Sequence, residues 1–152
     1  MRVCKPPAPF AVSATDRVVF LAGSIDQGRA DDWQTAIAAA LTGLDVVVLN
    51  PRRDAWDASW QQSIENLEFR GQVTWELDGL ERANRIAVWF APASQAPITL
   101  LEFGLHARGG KLVVGCPSGF WRRGNVEVVC ERFAIPLVAN WDEFVAAVRA
   151  SL

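Results

Sequence analysis

Residues 86–104 read IAVWFAPASQAPITLLEFG, and this stretch decides the fold class. The first six residues form an unbroken apolar run, the pattern of a strand buried on both faces. A short loop follows, and Pro97 then stands where a first helical residue belongs, because the N–H that proline lacks has no intrahelical partner there. The spacing predicts a helix from Pro97 through residue 108, stopped by Gly109-Gly110. A buried strand feeding a helix through a short loop is half of a βαβ unit.

The same rhythm extends both ways along the chain. Residues 18–22 (VVFLA) predict a strand closed by Gly23-Ser24. Asp31-Asp32 offers an N-cap for a helix through Trp33, Ile37 and Leu41, ending near Gly43. Residues 46–49 (VVVL) predict a second strand, stopped by Asn50-Pro51, and a polar stretch over 52–66 is long enough to suggest a functional loop. Phe69, Val73, Leu77 and Leu80 recur at helical spacing over 69–83. Strands at 111–116 and 135–139, and helices at 126–133 and 141–152, complete the pattern. Continuous apolar strands separated by helices imply a parallel sheet of about five strands covered on both faces, a flavodoxin-like or Rossmann-like doubly wound α/β fold. Residues 17–152 form one domain in this reading, and 1–16, broken by Pro6, Pro7 and Pro9, form a flexible extension.

Composition narrows the function. A chain of 152 residues with 51% apolar and 21% charged residues is globular, and a net charge of −2 gives no basic footprint for a nucleic-acid polymer. Cys4, Cys116 and Cys130 show no CxxC spacing, so reduced thiols in a cytoplasmic protein are expected. His106 is the one histidine, which removes most imidazole metal sites and a Ser-His-Asp triad. No apolar run is long enough to span a bilayer. A small-molecule ligand is expected, with no metal and no cofactor.

In doubly wound sheets ligands bind beyond the carboxyl ends of the strands. That points to 23–26, 50–53, 92–99 and 117–125. Glu102 stands out within TLLEFGL (99–105), a carboxylate with apolar neighbours. The positive end of the helix dipole favours its ionised form, while burial opposes it. The alternative is a solvated helix residue. Glu76 falls on the inward stripe of the helix from Phe69 and is either the second member of a carboxyl pair or the partner of an arginine. Arg52 and Arg53 follow the second strand and either grip a 5′-phosphate or pair with Asp54 and Asp57. Trp56 and Trp60 either stack on a nucleobase or pack in the core. Gly23 and Ser24 would let a ribose or phosphate approach the backbone. His106 and the cysteines read as packing residues.

Five segments taken together, VFLAGSI (19–25), NPRR (50–53), WELDGL (75–80), PITLLEFG (97–104) and GCPSGFWRRGNV (115–126), resemble the nucleoside 2-deoxyribosyltransferase-like family. The resemblance covers roughly 18–138. It implies a flavodoxin-like sheet, a nucleophilic glutamate at Glu102 with Lys111 leading the next strand, and an acidic group at Glu76 that handles the leaving base. It implies that Asn125 reaches a neighbouring subunit's site, and that the protein is a homodimer or larger oligomer. Where transferases of the family carry an aspartate before the nucleophile, this chain has QAPIT (95–99), which leaves Thr99 as the hydrogen-bonding group, and it has no tyrosine. The expected function is cleavage or transfer of a nucleoside or nucleotide N-glycosidic bond through a covalent glycosyl-Glu102 intermediate. Gly23, Ser24, Asn50, Arg52, Arg53, Trp56, Thr99 and Asn125 would bind substrate. The alternatives are a 5′-monophosphate-specific hydrolase and a non-catalytic nucleotide-sensing module.

Overall fold

The computed structural model describes residues 1–25, 31–54, 57 and 59–152. Its strands are β1 (Arg2–Cys4), β2 (Val18–Gly23), β3 (Val47–Leu49), β4 (Arg85–Trp89), β5 (Leu112–Gly115) and β6 (Leu137–Val138). Its helices are α1 (Trp33–Ala40), α2 (Leu67–Arg82), α3 (Pro97–His106), α4 (Arg123–Phe133) and α5 (Trp141–Ser151). The six strands form one sheet in the order β1-β3-β2-β4-β5-β6, parallel throughout, with Phe20 opposite Leu49 on one side and Ile86 on the other. The chain reverses direction across the sheet between β3 and β4, on either side of β2. This is the doubly wound, flavodoxin-like arrangement.

Alternation along each strand sends side chains to two cores. Val18, Phe20, Leu49, Ile86, Val88 and Val114 meet α2, α3 and α4 through Trp75, Leu80, Phe103 and Val126. Val19, Leu21, Val48, Ala87 and Val113 meet α1 and α5 through Trp33, Ile37, Phe144 and Val148. Helix starts follow the chemistry of the sequence. The Asp32 side chain accepts from Thr35 N at 3.0 Å, Asn66 from Phe69 N at 2.8 Å and Asn140 from Glu143 N at 2.9 Å.

Two features differ from the sequence reading. Arg2–Cys4, assigned there to a flexible extension, is an edge strand paired with β3, and its Cys4 carbonyl accepts from Asn50 N at 2.9 Å. The following segment also packs on the domain: Phe10 meets the Trp75 ring edge-on at 5.2 Å, and Trp75 Nε1 donates to Ala8 O at 2.9 Å. In α2 the buried stripe is Gln72, Trp75, Gly79 and Leu80, whereas Leu77 is 43% exposed. Gly79 sets that phase. A Cβ there would stand 2.9 Å from the Phe20 ring, so only glycine lets the helix lie this close to β2.

Candidate active site

Helix α3 is built with its polarity inverted. Thr99, Glu102 and Phe103 are buried, while Ile98, Leu101 and Leu105 face out. Phe103 anchors the inner face, meeting Phe90 edge-on with ring centres 5.8 Å apart. The helix begins at Ala96, which holds a left-handed backbone at φ 44° and is itself buried. A non-glycine residue there costs about 1–2 kcal/mol, a strain the surrounding packing must hold in place.

Burial therefore falls on the Glu102 carboxyl. Only 9% of the residue is exposed, and its pKa is pushed up to about 8, first by desolvation and then by the negative charge of Glu76. Glu102 is the sixth residue of α3, too far along for the N-terminal dipole to offset that cost, and no described residue bonds or pairs with it. The sequence reading weighed dipole against burial; in the structure burial wins, and at neutral pH the free protein holds Glu102 protonated.

Glu76 projects from α2, which shares with α3 a sheet face centred on β2. Its pKa is also raised by burial, but Gln72 and Arg53 act against that rise. Gln72 Nε2 donates to Glu76 Oε1 at 2.6 Å and to the Pro51 carbonyl at 3.0 Å. Arg53 Nε donates to Gln72 Oε1 at 2.5 Å, and its guanidinium lies 4.9 Å from the centre of the Trp60 ring. Glu76 has the Gln72 donor and the charge of Arg53, and Glu102 has neither, so Glu76 is the member that ionises first.

The remaining candidates divide by place. Asn50 is buried beyond β3, and its Oδ1 accepts from Arg52 N at 3.0 Å. The Arg52 guanidinium reaches the start of α1, at Asp31 O (3.3 Å) and Gln34 Oε1 (3.4 Å), with its Nε 3.9 Å from Asp32. Ser24 is buried, its hydroxyl accepting from Ala91 N at 3.2 Å and bonded to the Ser94 hydroxyl. Space beside Gly23 is filled by protein: a Cβ would stand 2.6 Å from Trp89 O and would overlap the Trp33 ring. Thr99 is buried one turn before Glu102, on the same stripe. Asn125 is exposed on the first turn of α4. Lys111 stands just before β5, at the amino end of the sheet, and donates to Glu81 O at 2.8 Å. His106 closes α3, its pKa lowered by desolvation. Trp56 and Asp26 lie outside the described residues.

Sequence reasoning missed Gln72, and it took in Ser94 only as part of the 92–99 loop without singling it out. The available signal for Gln72 was its position one helical turn before Glu76, on the side that faces the sheet. A cavity of about 950 Å³ elsewhere, lined by Arg2, Phe10, Asp16, Asp45, Val47 and Arg82, touches none of the candidate residues. Among the described residues no cluster of His, Cys, Asp or Glu is arranged to hold a metal ion, and no helix is long and apolar enough to cross a membrane.

A crystal structure of a conserved protein from Enterococcus faecalis V583 is similar in fold, with a TM-score of 0.63 at 9% sequence identity over 90% of this chain and 99% of that one. No curated protein gives a significant sequence match. The model of the family described as nucleoside 2-deoxyribosyltransferase like matches residues 16–120, a span that holds β2, β3, α2, β4, α3 and both carboxyl groups. The chain belongs to the nucleoside 2-deoxyribosyltransferase-like family.

Proposed function

We propose that the protein cleaves or transfers the N-glycosidic bond of a nucleoside or nucleotide, with Glu102 as nucleophile and Glu76 as the group that protonates the departing base. The observation that carries this reading is the unequal carboxyl pair: Glu102 buried and without a donor, Glu76 half-buried, with a hydrogen bond from Gln72 and the positive charge of Arg53 nearby. Two carboxyls of different proton affinity hold one proton between them at neutral pH, which is the proton the departing base needs.

In the free protein the pair holds one proton, on Glu102. As the glycosidic bond lengthens, positive charge grows on the sugar and favours an ionised Glu102. The proton passes to Glu76 and on to the base nitrogen, which keeps the electron pair of the broken C–N bond. A Glu102 oxygen forms the new C–O bond to the anomeric carbon. A second base, or water, then displaces Glu102 from the opposite face, which is double displacement with retention. Activity needs the singly protonated pair. It falls at low pH as Glu76 takes a second proton, and at high pH as Glu102 loses its own near 8.

The protein acts as a homodimer or larger oligomer in this reading, supported by the exposed apolar stripe on α3 and by exposed Asn125. The test is chromatographic detection of free base from a panel of nucleosides and their monophosphates, with and without an acceptor base. Glu102→Ala should abolish release and leave the far-ultraviolet circular dichroism unchanged. A folded Glu102→Ala protein that keeps most of the activity overturns the assignment. Ligand-dependent melting shifts without base release from any substrate would instead indicate a sensing module.

A further inference from the structure

Gln72 is buried, and every polar position of its side chain is used. Its Oε1 accepts from Arg53 Nε, and its Nε2 donates to Pro51 O and to Glu76 Oε1. An arginine has only donors, so Arg53 holds the amide oxygen on its own side. The Pro51 carbonyl has only an acceptor, so it holds the NH2 on the other. The amide cannot flip without losing both bonds. Its remaining N–H points at one particular oxygen of Glu76.

An N–H donor requires an acceptor. The carbonyl oxygen of a protonated carboxyl is a far better acceptor than its hydroxyl oxygen, so this bond favours Oε1 as the unprotonated one. We propose that Gln72 is a positioning residue that dictates which oxygen of Glu76 carries the proton: Oε1 is held as the acceptor of the amide, and Oε2 receives the proton and hands it on. Arg53 is the distant anchor of this selection, acting through Gln72. The charged groups facing Glu76 are Arg53 from the β3–α2 connection and Glu102 from α3; on α2 itself the partner is Gln72. The catalytic meaning rests on the proposed function, whereas the selection of the oxygen rests on the hydrogen bonds alone.

Two measurements test it without any turnover. In protein labelled at the glutamate side-chain carboxyls, with Glu76 and Glu102 assigned through E76Q and E102Q, carbon NMR follows each titration. Gln72→Met keeps length and apolar packing but removes the donor, and should raise the Glu76 titration by about one to two pH units. Gln72→Asn, a shorter amide out of reach, should do the same if the methionine variant fails to fold. In wild type, the Gln72 Nε2–H resonance should remain at its hydrogen-bonded position below and above the Glu76 titration. A folded Gln72 variant with an unchanged Glu76 titration, or a Gln72 N–H that reverts to a solvent-exposed shift when Glu76 is protonated, overturns the proposal.

A third measurement joins it to catalysis. The acid limb of the kcat/KM profile should move up in Gln72→Met with KM little changed, and the move should vanish in an E76Q background. If no nucleoside is turned over, the functional reading fails while the titrations still decide Gln72. If turnover is present and the titrations do not respond, only Gln72 is rejected.

Discussion

The hydroxyl of Ser24, just beyond β2, is bonded to the hydroxyl of Ser94, in the loop that delivers the chain into α3. Ser24 Oγ also accepts from Ala91 N at 3.2 Å, and Ser24 N donates to Trp89 O at 3.2 Å. The end of β2 is thus tied at three points to the last residue of β4 and the loop that leads to the helix carrying Glu102. Trp121 closes the loop from the other side, its Nε1 donating to Gln95 O at 3.1 Å. A loop held this way fixes where α3 starts and, five residues on, where Glu102 stands.

The two serines should then differ in worth. Ser24→Ala leaves the Ala91 N–H without its acceptor and the Ser94 hydroxyl without a partner, at a cost of about 1–3 kcal/mol. Ser94→Ala removes a single bond between hydroxyls and should cost less, about 1 kcal/mol. Urea denaturation of both variants and of the double variant checks this. The double variant should lose less than the sum, because the two share one bond.

Glu102 makes stability depend on pH with a definite sign. Its folded pKa of about 8 lies above the ordinary 4.5, so between these values the folded protein holds a proton that the unfolded chain has released. The stabilisation from that proton is complete below 4.5 and is lost as pH rises to 8. Glu102→Gln has no such ionisation. Its melting temperature relative to wild type should climb across this window and level off above it. A difference that stays flat from pH 5 to pH 9 would show that Glu102 is not desolvated as described.

Gly23 ends β2 in a place where nothing larger fits. A Cβ would stand 2.6 Å from the Trp89 carbonyl, which is backbone in the neighbouring strand, and would run into the Trp33 ring, whose Nε1 is held by Ser24 O at 3.1 Å. Neither obstacle can swing aside cheaply. Gly23→Ala should therefore destabilise by about 1–3 kcal/mol or more, the range for overfilling a packed interior. Equilibrium unfolding measures it, and a neutral effect would contradict the packing at this strand end.

The parts of the fold that were legible in the sequence are those set by local chemistry. Pro97 at the start of α3, Asp32 at the cap of α1 and the apolar runs of β2, β4 and β5 each carry their reason in a few adjacent residues. β1 does not. Three residues before a proline pair show no periodicity, and their strand exists only because Val47–Leu49 offers an edge 45 residues away in the chain, by the pairing of Arg2 with Val47. Glu102 was legible as an odd carboxylate among apolar neighbours. Glu76 was legible as an acidic residue on the inward stripe, but the amide of Gln72 that bonds it was hidden, because a glutamine on a helix normally signals a solvated face. The phase of α2 was misjudged for a related reason: Gly79 and Gln72 face the sheet, and hydrophobic spacing gives weight to neither.

α3 also sets the last prediction. Ile98, Leu101 and Leu105 are exposed by 59%, 58% and 60% and fall at helical spacing on the face opposite Phe103, with Glu102 at the edge of the same stripe, one turn from Ile98 and from Leu105. A row of large apolar side chains left in water opposes solubility, and a second copy of the chain would cover it. Leu101→Lys should lower the mass measured by light scattering to that of a monomer, with the helix content intact. Asn125 extends the test to the site. If each copy lends Asn125 to its neighbour, then Glu102→Ala and Asn125→Ala proteins, inactive apart, should regain activity when unfolded together and refolded as mixed oligomers. One subunit of the pair then carries an intact Glu102 opposite an intact Asn125. A wild-type mass for Leu101→Lys would mean that the α3 face is not the contact, and no recovery on mixing would mean that Asn125 serves no neighbouring site.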